Sequence, residues 1–348
     1  MSPHLYDLEA LLRKLTAVPG ISGHEAEIAR LLGAEIAPYA NEVRIDRIGN
    51  LIARIDGKSN RRIAVVAHMD TVGLMVKQIS PEGRLSVVAV GGVNLKALPA
   101  TPVRVGEVPG IIGVRSQHLA KSGDQVVSVE DLYIEIEPAA VGHVEVTTPV
   151  SYAQTPVSLG GGLFAGPALD NRAGCTVLVE LARRLASQAE ATVYLVGSVQ
   201  EETTCAGAQY ALSQIAPDAA LFVDGTVSYD SGETRGRGSI SLGAGPVLTS
   251  YLYTSGLNGW HAHDGLRRHL KETTVRHNLP YQQDAVTGLM SDARTALPLG
   301  IPSSLIGIPM RGKHSPLETV HLGDLDAAAD LLHVCLTSPL PALEGVVL

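Results

Sequence analysis

The chain has 348 residues, of which 45% are hydrophobic and 18% charged, a balance typical of a globular protein that buries a substantial core. This length favours one large domain accompanied by a smaller one. The formal net charge of −8 at pH 7, without an extended run of Lys and Arg, argues against a nucleic-acid partner.

The first part of the chain predicts two helices followed by strands. Residues 5–18 have helical periodicity, which ends at Pro19 and Gly20. Ser22 and Glu25 have the spacing of a capping box, which predicts a second helix that extends to about residue 37. Strands are then expected at residues 42–46 and 51–56, and in the apolar segment 63–67 that leads to His68.

Residues 74–162 have a different character. Short β-like segments separated by Gly and Pro are expected there, without a convincing helical pattern, at residues 85–90, 103–105, 111–114, 132–136 and 144–146. These segments predict a small β-barrel or β-sandwich. The three glycines at residues 160–162 are interpreted as the hinge that leads out of it.

Strands and helices alternate after this insertion. We expect helices at residues 172–185, 206–214, 263–277 and 325–336, and strands at residues 192–199, 219–223 and 303–308. Alternation of this kind predicts an α/β fold, with a mixed, largely parallel sheet and helices on both faces. A catalytic α/β domain formed by residues 1–73 and 163–348 would thus be interrupted by a small β-barrel at residues 74–162.

Cysteine usage and apolar segments bear on the location of the protein. Cys175, Cys205 and Cys335 are odd in number and far apart, which argues against disulfides and fits a reducing compartment. The N-terminal segment has no secretory apolar core, and no apolar stretch approaches the ~20 residues that a membrane span requires. We therefore expect a cytoplasmic protein without a membrane partner.

Acidic and imidazole side chains stand where several of the predicted strands end. They are His68, Glu201, Glu202 and Asp224, and Asp170 stands at the entrance to a helix. Ligands of open α/β sheets bind beyond the carboxyl ends of the strands. Carboxylates crowded there would resist joint ionisation, and divalent metal ions would remove this conflict. The sequence therefore predicts a metal site.

The residue types and their spacing add detail to this site. His314 supplies a second imidazole after the strand at residues 303–308, and this mixture suits zinc, cobalt or manganese better than calcium. In an extended segment Asp70 lies on the same side as His68, so it can reach either the ring or the metal. Glu201 and Glu202 point in different directions, so one can bind metal while the other carries a proton. Two metals ~3.5–4 Å apart could together activate a bridging water.

Five ordered motifs resemble those of the tetrahedral metallo-aminopeptidases, a family that includes glutamyl and leucyl aminopeptidases and members labelled endoglucanases. The motifs are AHMD at residues 67–70, ALDNR at 168–172, QEE at 200–202, VD at 223–224 and HSPLE at 314–318. The resemblance covers essentially the whole chain, including residues 91–92 and 113–114 of the β insertion.

The resemblance implies two divalent ions per subunit, zinc or cobalt, with manganese as a further candidate. One ion would be held by His68, Asp224 and a bridging Asp170, and the other by Asp170, Glu202 and His314. Glu201 would be the general base that takes a proton from the metal-bridging water and delivers it to the leaving amine. Asp70 would orient His68. The implied reaction removes N-terminal residues from short peptides.

The resemblance also implies self-association, since members of the family form twelve-subunit tetrahedral particles to which the insertion contributes. The chain departs from the family pattern in four places: TTC at residues 203–205 where a glycine is common, Thr71 where an acidic residue is common, residues 312–313 where an aromatic is common, and SDA at residues 291–293 in a Gly-rich motif. These departures bear on substrate preference and leave the expected ligands intact.

Other interpretations stay open. Asp170 could cap a helix, Glu318 could either support His314 or be a surface charge, and His118 is expected to be structural or at a subunit contact. For the whole chain, one alternative is a metal-dependent amidohydrolase or deacylase acting on small N-acyl substrates. Another is a catalytically silent assembly protein, against which the non-ligating Glu201 argues.

Overall fold

The computed structural model describes residues 3–113, 128–185, 188–232, 234–256, 258–339 and 341. Within them lie the helices α1 Pro3–Thr16, α2 Ala26–Ile36, α3 Leu169–Leu185, α4 Ala206–Ile215, α5 Asp264–Arg276 and α6 Leu322–Leu336. Each of the predicted helices is thus present. None of the helices in this part of the chain is both long enough and apolar enough to cross a membrane. His118 and Val114 lie outside the described residues.

The strands of the first half of the chain are β1 Glu42–Ile45, β2 Leu51–Ile55, β3 Ser59–His68, β4 Gly73–Ile79, β5 Arg84–Val90, β6 Pro102–Val105, β7 Val108–Ile112, β8 Ile134–Ile136 and β9 Pro149–Tyr152. Those of the second half are β10 Val157–Gly160, β11 Leu163–Gly166, β12 Ala191–Ser198, β13 Ala219–Val227, β14 Val247–Tyr253, β15 Gly259–His261, β16 Gln282–Thr287, β17 Ser303–Met310 and β18 Glu318–His321.

The main sheet is mixed, with a parallel centre. Its strand order is β1-β2-β12-β3-β13-β17-β14-β15, and β16 pairs with β14. The four central strands β12, β3, β13 and β17 all run parallel to their neighbours in this group. Antiparallel pairs flank them, β2 with β12 on one side and β14 with β17 on the other. The carboxyl ends of the central strands therefore meet at one edge of the sheet.

Helices cover both faces of this sheet, as the alternating apolar side chains of β3 illustrate. Ile63 and Val65 pack in a core with side chains of α1, α2, α3 and α6. Ala64 and Val66, which point to the opposite face, pack in a second core with side chains of α4. The predicted fold class, a mixed and largely parallel α/β sheet with a β-barrel insertion, is confirmed.

The insertion is a closed antiparallel barrel with the strand order β4-β5-β8-β7-β6-β9 and its own apolar core. One strand predicted here is wrong. Residues 144–146 follow a 3-10 helix, Pro138–His143, and lead into a turn, and the barrel strand forms only at β9. Val144 is buried in the barrel core, so its apolar character reflects packing and not pairing in a sheet.

Two local predictions need correction. The glycines at residues 160–162 have positive φ and form the turn of the β10–β11 hairpin, which pairs with β18 in a separate sheet. The capping box does not form. Ser22 Oγ lies 2.9 Å from Thr203 Oγ1, and the Glu25 carboxylate accepts hydrogen bonds from the amides of Gly23 and Gln200.

Candidate active site

The central strands and the loops that follow them carry the candidate ligands. His68 is the last residue of β3, Glu201 and Glu202 follow β12, and His314 follows β17. Asp224 lies within β13, because this strand continues to Val227 beyond the predicted end at residue 223. The segment pairs with β17 throughout, so Asp224 is held by a regular ladder of backbone hydrogen bonds.

Asp170 lies at the start of α3, where the backbone departs from helical geometry. Asp170 has φ −84° and ψ 99°, and the peptide bond between Asp170 and Asn171 is cis. The Asn171 side chain donates to the carbonyl oxygen of Val223 at 2.8 Å, which ties this turn to β13. The Asp170 side chain is buried and points at His68 and His314. A simple helix cap does not account for this orientation.

Two groups of potential ligand atoms form around Asp170. In the first, His68 Nε2 lies 3.4 Å from both Asp170 Oδ1 and Asp224 Oδ1. In the second, His314 Nε2 lies 3.3 Å from both Asp170 Oδ2 and Glu202 Oε2. Each group could hold one metal ion, and Asp170 belongs to both. The structure thus brings together the five residues predicted as ligands.

The chemistry of these atoms fits divalent ions. His68 Nε2, Asp170 Oδ1, Glu202 Oε1 and Asp224 Oδ1 are buried and have no hydrogen-bond partner among the described residues. Buried polar atoms are normally paired, and those that are not require an explanation such as a bound ion. Imidazole nitrogen and carboxylate oxygen are ligands that zinc and its neighbours in the first transition row accept.

Asp70 holds the Glu201–Glu202 pair through the backbone. Its Oδ1 accepts a hydrogen bond from the amide of Glu201 at 2.9 Å, and its Oδ2 accepts one from the amide of Glu202 at 3.0 Å. His68 Nδ1 lies 3.1 Å from the Asp70 carbonyl oxygen and 3.5 Å from Oδ1. A proton on Nδ1 would be shared with the Asp70 carbonyl, which leaves His68 Nε2 free for the Asp170 group.

Glu201 occupies a position suited to proton transfer. Its carboxylate is largely buried, and Oε2 lies 3.9 Å from His68 Nε2. Burial raises the pKa of Glu201 well above its usual value, and the nearby Asp224, Glu202 and Asp292 carboxylates raise it further, against the opposing effect of His68. A carboxylate whose pKa is raised towards neutrality is an effective base near neutral pH.

The charges in the cluster shift the pKa values of its members in opposite directions. Burial alone would raise the pKa of Asp170, but Lys313, His314 and His68 hold it well below its usual value. Burial would lower the pKa of His314, yet its contacts with Asp170 and Glu202 raise it to about 10. Without metal, the histidines therefore act as counter-charges for the carboxylates. Binding a metal requires each histidine to lose that proton.

Lys313 is a member of this cluster that the sequence marked only as a departure from the family pattern. Its Nζ makes an ion pair with Asp170 Oδ2 at 2.5 Å and lies 3.7 Å from Asp224 Oδ1. It also donates to the carbonyl oxygen of Gly225 at 3.2 Å. Burial would lower the pKa of Lys313, but Asp170, Asp224 and Glu202 together raise it above its usual value.

Two further acidic residues support the site, and the sequence left both unassigned. Glu318 is buried and accepts hydrogen bonds from the backbone amides of Asp170 and His314, so it is not a surface charge. Asp292 is buried behind Glu201 and accepts a hydrogen bond from Ser198 Oγ at 2.5 Å. Burial raises the pKa of Asp292 to about 8. In the sequence, Glu318 was marked only as part of the HSPLE motif and Asp292 only as part of the SDA motif.

The turn at residues 203–205 explains one departure from the family pattern. Cys205 has φ 57° and ψ 13°, a left-handed conformation that glycine adopts without strain. The Cys205 thiol donates to the carbonyl oxygen of Glu201 at 3.6 Å, within the same turn. Burial raises the pKa of Cys205, so its sulfur remains a protonated thiol.

Two cavities are lined in part by residues of the cluster. One has a volume of about 420 Å³ and is lined by residues that include Glu201, Glu202, Arg294, Lys313 and His314. The other has a volume of about 310 Å³ and is lined by residues that include Arg104 and Tyr152 of the barrel, Asp170 of α3 and Glu318 of β18. A peptide could therefore approach the ligand atoms from solvent.

The mixed sheet, with two His–carboxylate groups near the carboxyl ends of its central parallel strands, defines an α/β protein with a candidate dinuclear metal centre. The M42 glutamyl aminopeptidase family matches residues 49–331, and the chain belongs to this family. The protein is therefore a hydrolase of the aminopeptidase class, and the family expected from the five motifs is confirmed. Membership also implies divalent metal ions, in agreement with the two ligand groups.

Relatives and solved structures support this assignment over almost the full length. The lysyl aminopeptidase of Pyrococcus furiosus is 31% identical, with 91% of this chain and 93% of that protein covered. An aminopeptidase from the archaeon Desulfurococcus kamchatkensis matches with a TM-score of 0.92 at 28% identity, covering 99% of each chain. The TET1 peptidase of Pyrococcus horikoshii matches with a TM-score of 0.83 at 27% identity, and the match covers 94% of this chain and 99% of that chain. That peptidase can assemble into a tetrahedron or a large octahedral shell.

Proposed function

We propose that this protein is a metal-dependent aminopeptidase that removes N-terminal residues from short peptides with the help of two divalent ions. The single observation that supports this best is the sharing of Asp170 by two groups of buried ligand atoms. Two such ions would supply Lewis-acid polarisation of the scissile carbonyl and would lower the pKa of a water molecule.

The ligand sets follow from the two groups. One position is formed by His68, Asp170 and Asp224, and the other by Asp170, Glu202 and His314. Both sets combine imidazole with carboxylate, which suits zinc or cobalt and also accepts manganese. Glu202 Oε2 lies 3.3 Å from His314 Nε2. Glu201 belongs to neither group that contains Asp170, although it forms a third possible ligand group with His68 and Glu202.

Glu201 is the proposed general base. Its carboxylate takes a proton from the attacking water and then holds that proton until the amine of the leaving peptide accepts it. The raised pKa of Glu201 favours this role, because a carboxylate with a higher pKa accepts a proton from water more readily. Asp70 is a positioning residue, since its carboxylate binds the amides of Glu201 and Glu202 and so sets the direction of both side chains.

We also propose that the protein is a cytoplasmic homododecamer. Support for the assembly comes from the P. horikoshii TET1 peptidase, which can form a tetrahedron. The division of the chain into residues 1–73, 74–162 and 163–348 remains part of the same proposal. Light scattering coupled to gel filtration would report the number of subunits, and a monomer or dimer at micromolar concentration would contradict it.

A substrate panel tests the catalytic proposal. The chelator-treated protein would be supplied with zinc, cobalt or manganese and assayed with aminoacyl p-nitroanilides that differ in the N-terminal residue. The matched control is the same substrate with an acetylated amine. Metal-dependent release of p-nitroaniline from the free-amine substrates alone is the expected result. Preferential cleavage of the acetylated substrates would indicate a deacylase instead, and no cleavage with any metal would contradict an enzyme of either kind.

A further inference from the structure

The Lys313 ammonium lies among oxygen atoms that can bind a cation. Its Nζ lies 2.5 Å from Asp170 Oδ2, 3.2 Å from the Gly225 carbonyl oxygen and 3.7 Å from Asp224 Oδ1. The first two distances are within hydrogen-bond range, whereas the contact with Asp224 is an ion pair only. Only 11% of the Lys313 side chain is exposed, so water provides little further stabilisation. The contacts with the two carboxylates therefore compensate for the burial of this charge.

The same two carboxylate oxygens also belong to the metal-ligand groups. Asp170 Oδ2 lies 3.3 Å from His314 Nε2, and Asp224 Oδ1 lies 3.4 Å from His68 Nε2. The ammonium therefore straddles both groups instead of lying beside one of them. A divalent ion at either position would share an oxygen with this ammonium, and two cations at such short range repel each other strongly in a buried site.

We propose that Lys313 is an internal cation that divalent metal must displace from Asp170 and Asp224 before both metal positions can be filled. This inference rests on the proposed metal dependence. Space for the displaced ammonium exists, because Lys313 also lines the cavity of about 420 Å³ beside Glu201 and Glu202. The flexible side chain of a lysine allows this movement without a change of the backbone.

Displacement has a consequence for metal affinity. The wild-type protein must exchange one cation for another, so the ion that completes the pair binds more weakly than it would in an otherwise identical site without the lysine. A methionine at position 313 has nearly the same length and no charge. Lys313→Met should therefore raise the affinity for the more weakly bound ion, whereas Lys313→Arg, which keeps the charge, should not.

Calorimetric titration of the chelator-treated protein with zinc at one fixed pH tests this proposal. We expect Lys313→Met to bind the second equivalent at least about tenfold more tightly than the wild type. Arg294→Met is the matched control, because Arg294 lines the same cavity and is bonded to Asn258. This control removes a nearby positive charge and should bind zinc as the wild type does. Equal affinities of Lys313→Met and the wild type, or an equal gain in Arg294→Met, would overturn the proposal.

A zinc-loaded crystal structure of the wild-type protein tests the same point without a variant. With both positions filled, Lys313 Nζ should have left hydrogen-bond distance of Asp170. An ammonium still bound to Asp170 and Asp224 beside two zinc ions would overturn the proposal. The p-nitroanilide assay separates the two proposals. If the wild type cleaves p-nitroanilides but Lys313→Met binds zinc no more tightly than the wild type, only the proposed role of Lys313 is wrong. If Lys313→Met binds zinc more tightly but the wild type cleaves no p-nitroanilide, only the proposed peptidase function is wrong.

Discussion

The carboxylate of Glu318 accepts a hydrogen bond from the backbone amide of Asp170 at 2.8 Å through its Oε2. Its Oε1 accepts a second hydrogen bond, from the amide of His314 at 2.7 Å. A single buried side chain therefore joins the start of α3 to the loop after β17. This link holds the backbone of Asp170 close to that of His314, as the second proposed metal position would require.

Replacement of Glu318 by Gln should weaken this link. Glutamine offers one carbonyl oxygen, and its amide group would face the second backbone N–H without being able to accept from it. We expect the free energy of unfolding of the metal-free protein to fall by about 1–3 kcal/mol. Urea unfolding at about pH 9 measures the change, because the carboxyl group of Glu318, with a pKa of about 8, is ionised there and accepts both hydrogen bonds. Glu137→Gln, at an exposed position, is the control. Equal stabilities of the two variants would show that the Glu318 link contributes nothing.

Glu201→Gln should separate proton transfer from metal binding. The substitution keeps the shape of the side chain but removes the base, so kcat should fall by about 10²–10⁴-fold. Metal content measured by mass spectrometry should stay at the wild-type value, because Glu201 is not a proposed ligand. Turnover near the wild-type rate with metal bound would contradict the assignment of Glu201 as the base.

Asp170→Ala and Asp224→Ala should differ in how many metal ions they lose. Asp170 belongs to both ligand groups and Asp224 to only one of them. We therefore expect Asp170→Ala to lose affinity for two ions, whereas Asp224→Ala retains one. Zinc titration with each variant makes the comparison. A full-affinity site remaining in Asp170→Ala would show that this carboxylate is not shared.

The metal-free protein should lose stability as the pH rises from about 5 to about 8. Burial raises the pKa of Asp292 from 3.8 to about 8 and that of Glu318 from 4.5 to about 8. The folded protein therefore binds more protons than the unfolded chain within this window, and its stability falls with increasing pH. The raised pKa of His314, about 10, acts in the same direction from about pH 6.5 upwards.

Thermal unfolding of the protein in the presence of a chelator, at a series of pH values, measures how steeply the melting temperature falls with increasing pH. Asp292→Asn should make this fall less steep, because asparagine does not titrate. Saturating zinc should also stabilise the protein most at the higher pH values, where the ligands give up protons most easily. A metal-free protein whose melting temperature rises between pH 5 and pH 8 would contradict the burial of these carboxyl groups.

Much of the fold could be predicted because the sheet follows local patterns. The apolar segment at residues 63–67 and the helix periodicity at residues 172–185 correspond to β3 and α3. Strands β4, β9, β10, β11, β14, β15, β16 and β18 were not predicted. All four residues of β10 are exposed, so this strand has no buried face that an apolar pattern would mark. The pairing of β18 with β11 depends on contacts between distant parts of the chain, which a local pattern does not contain.

The proposed ligand residues could be predicted from their places at the ends of predicted strands and at a helix start, but the contacts of Lys313 could not. Neighbouring side chains in an extended segment point to opposite sides, so Lys313 would be expected to point away from the side that His314 faces. Gly312 has φ 69° and His314 has φ 65°, and this left-handed backbone brings both side chains onto Asp170. Backbone conformation of this kind depends on the tertiary structure around the loop.

Anomalous diffraction at the zinc edge from crystals of the zinc-saturated protein tests the central claim most directly. We predict two peaks roughly 3.5–4 Å apart, with one oxygen of Asp170 at about 2.0–2.2 Å from each. The first ion should contact His68 and Asp224, and the second should contact Glu202 and His314. An absence of ordered zinc among these residues, or two ions that do not share Asp170, would contradict the account.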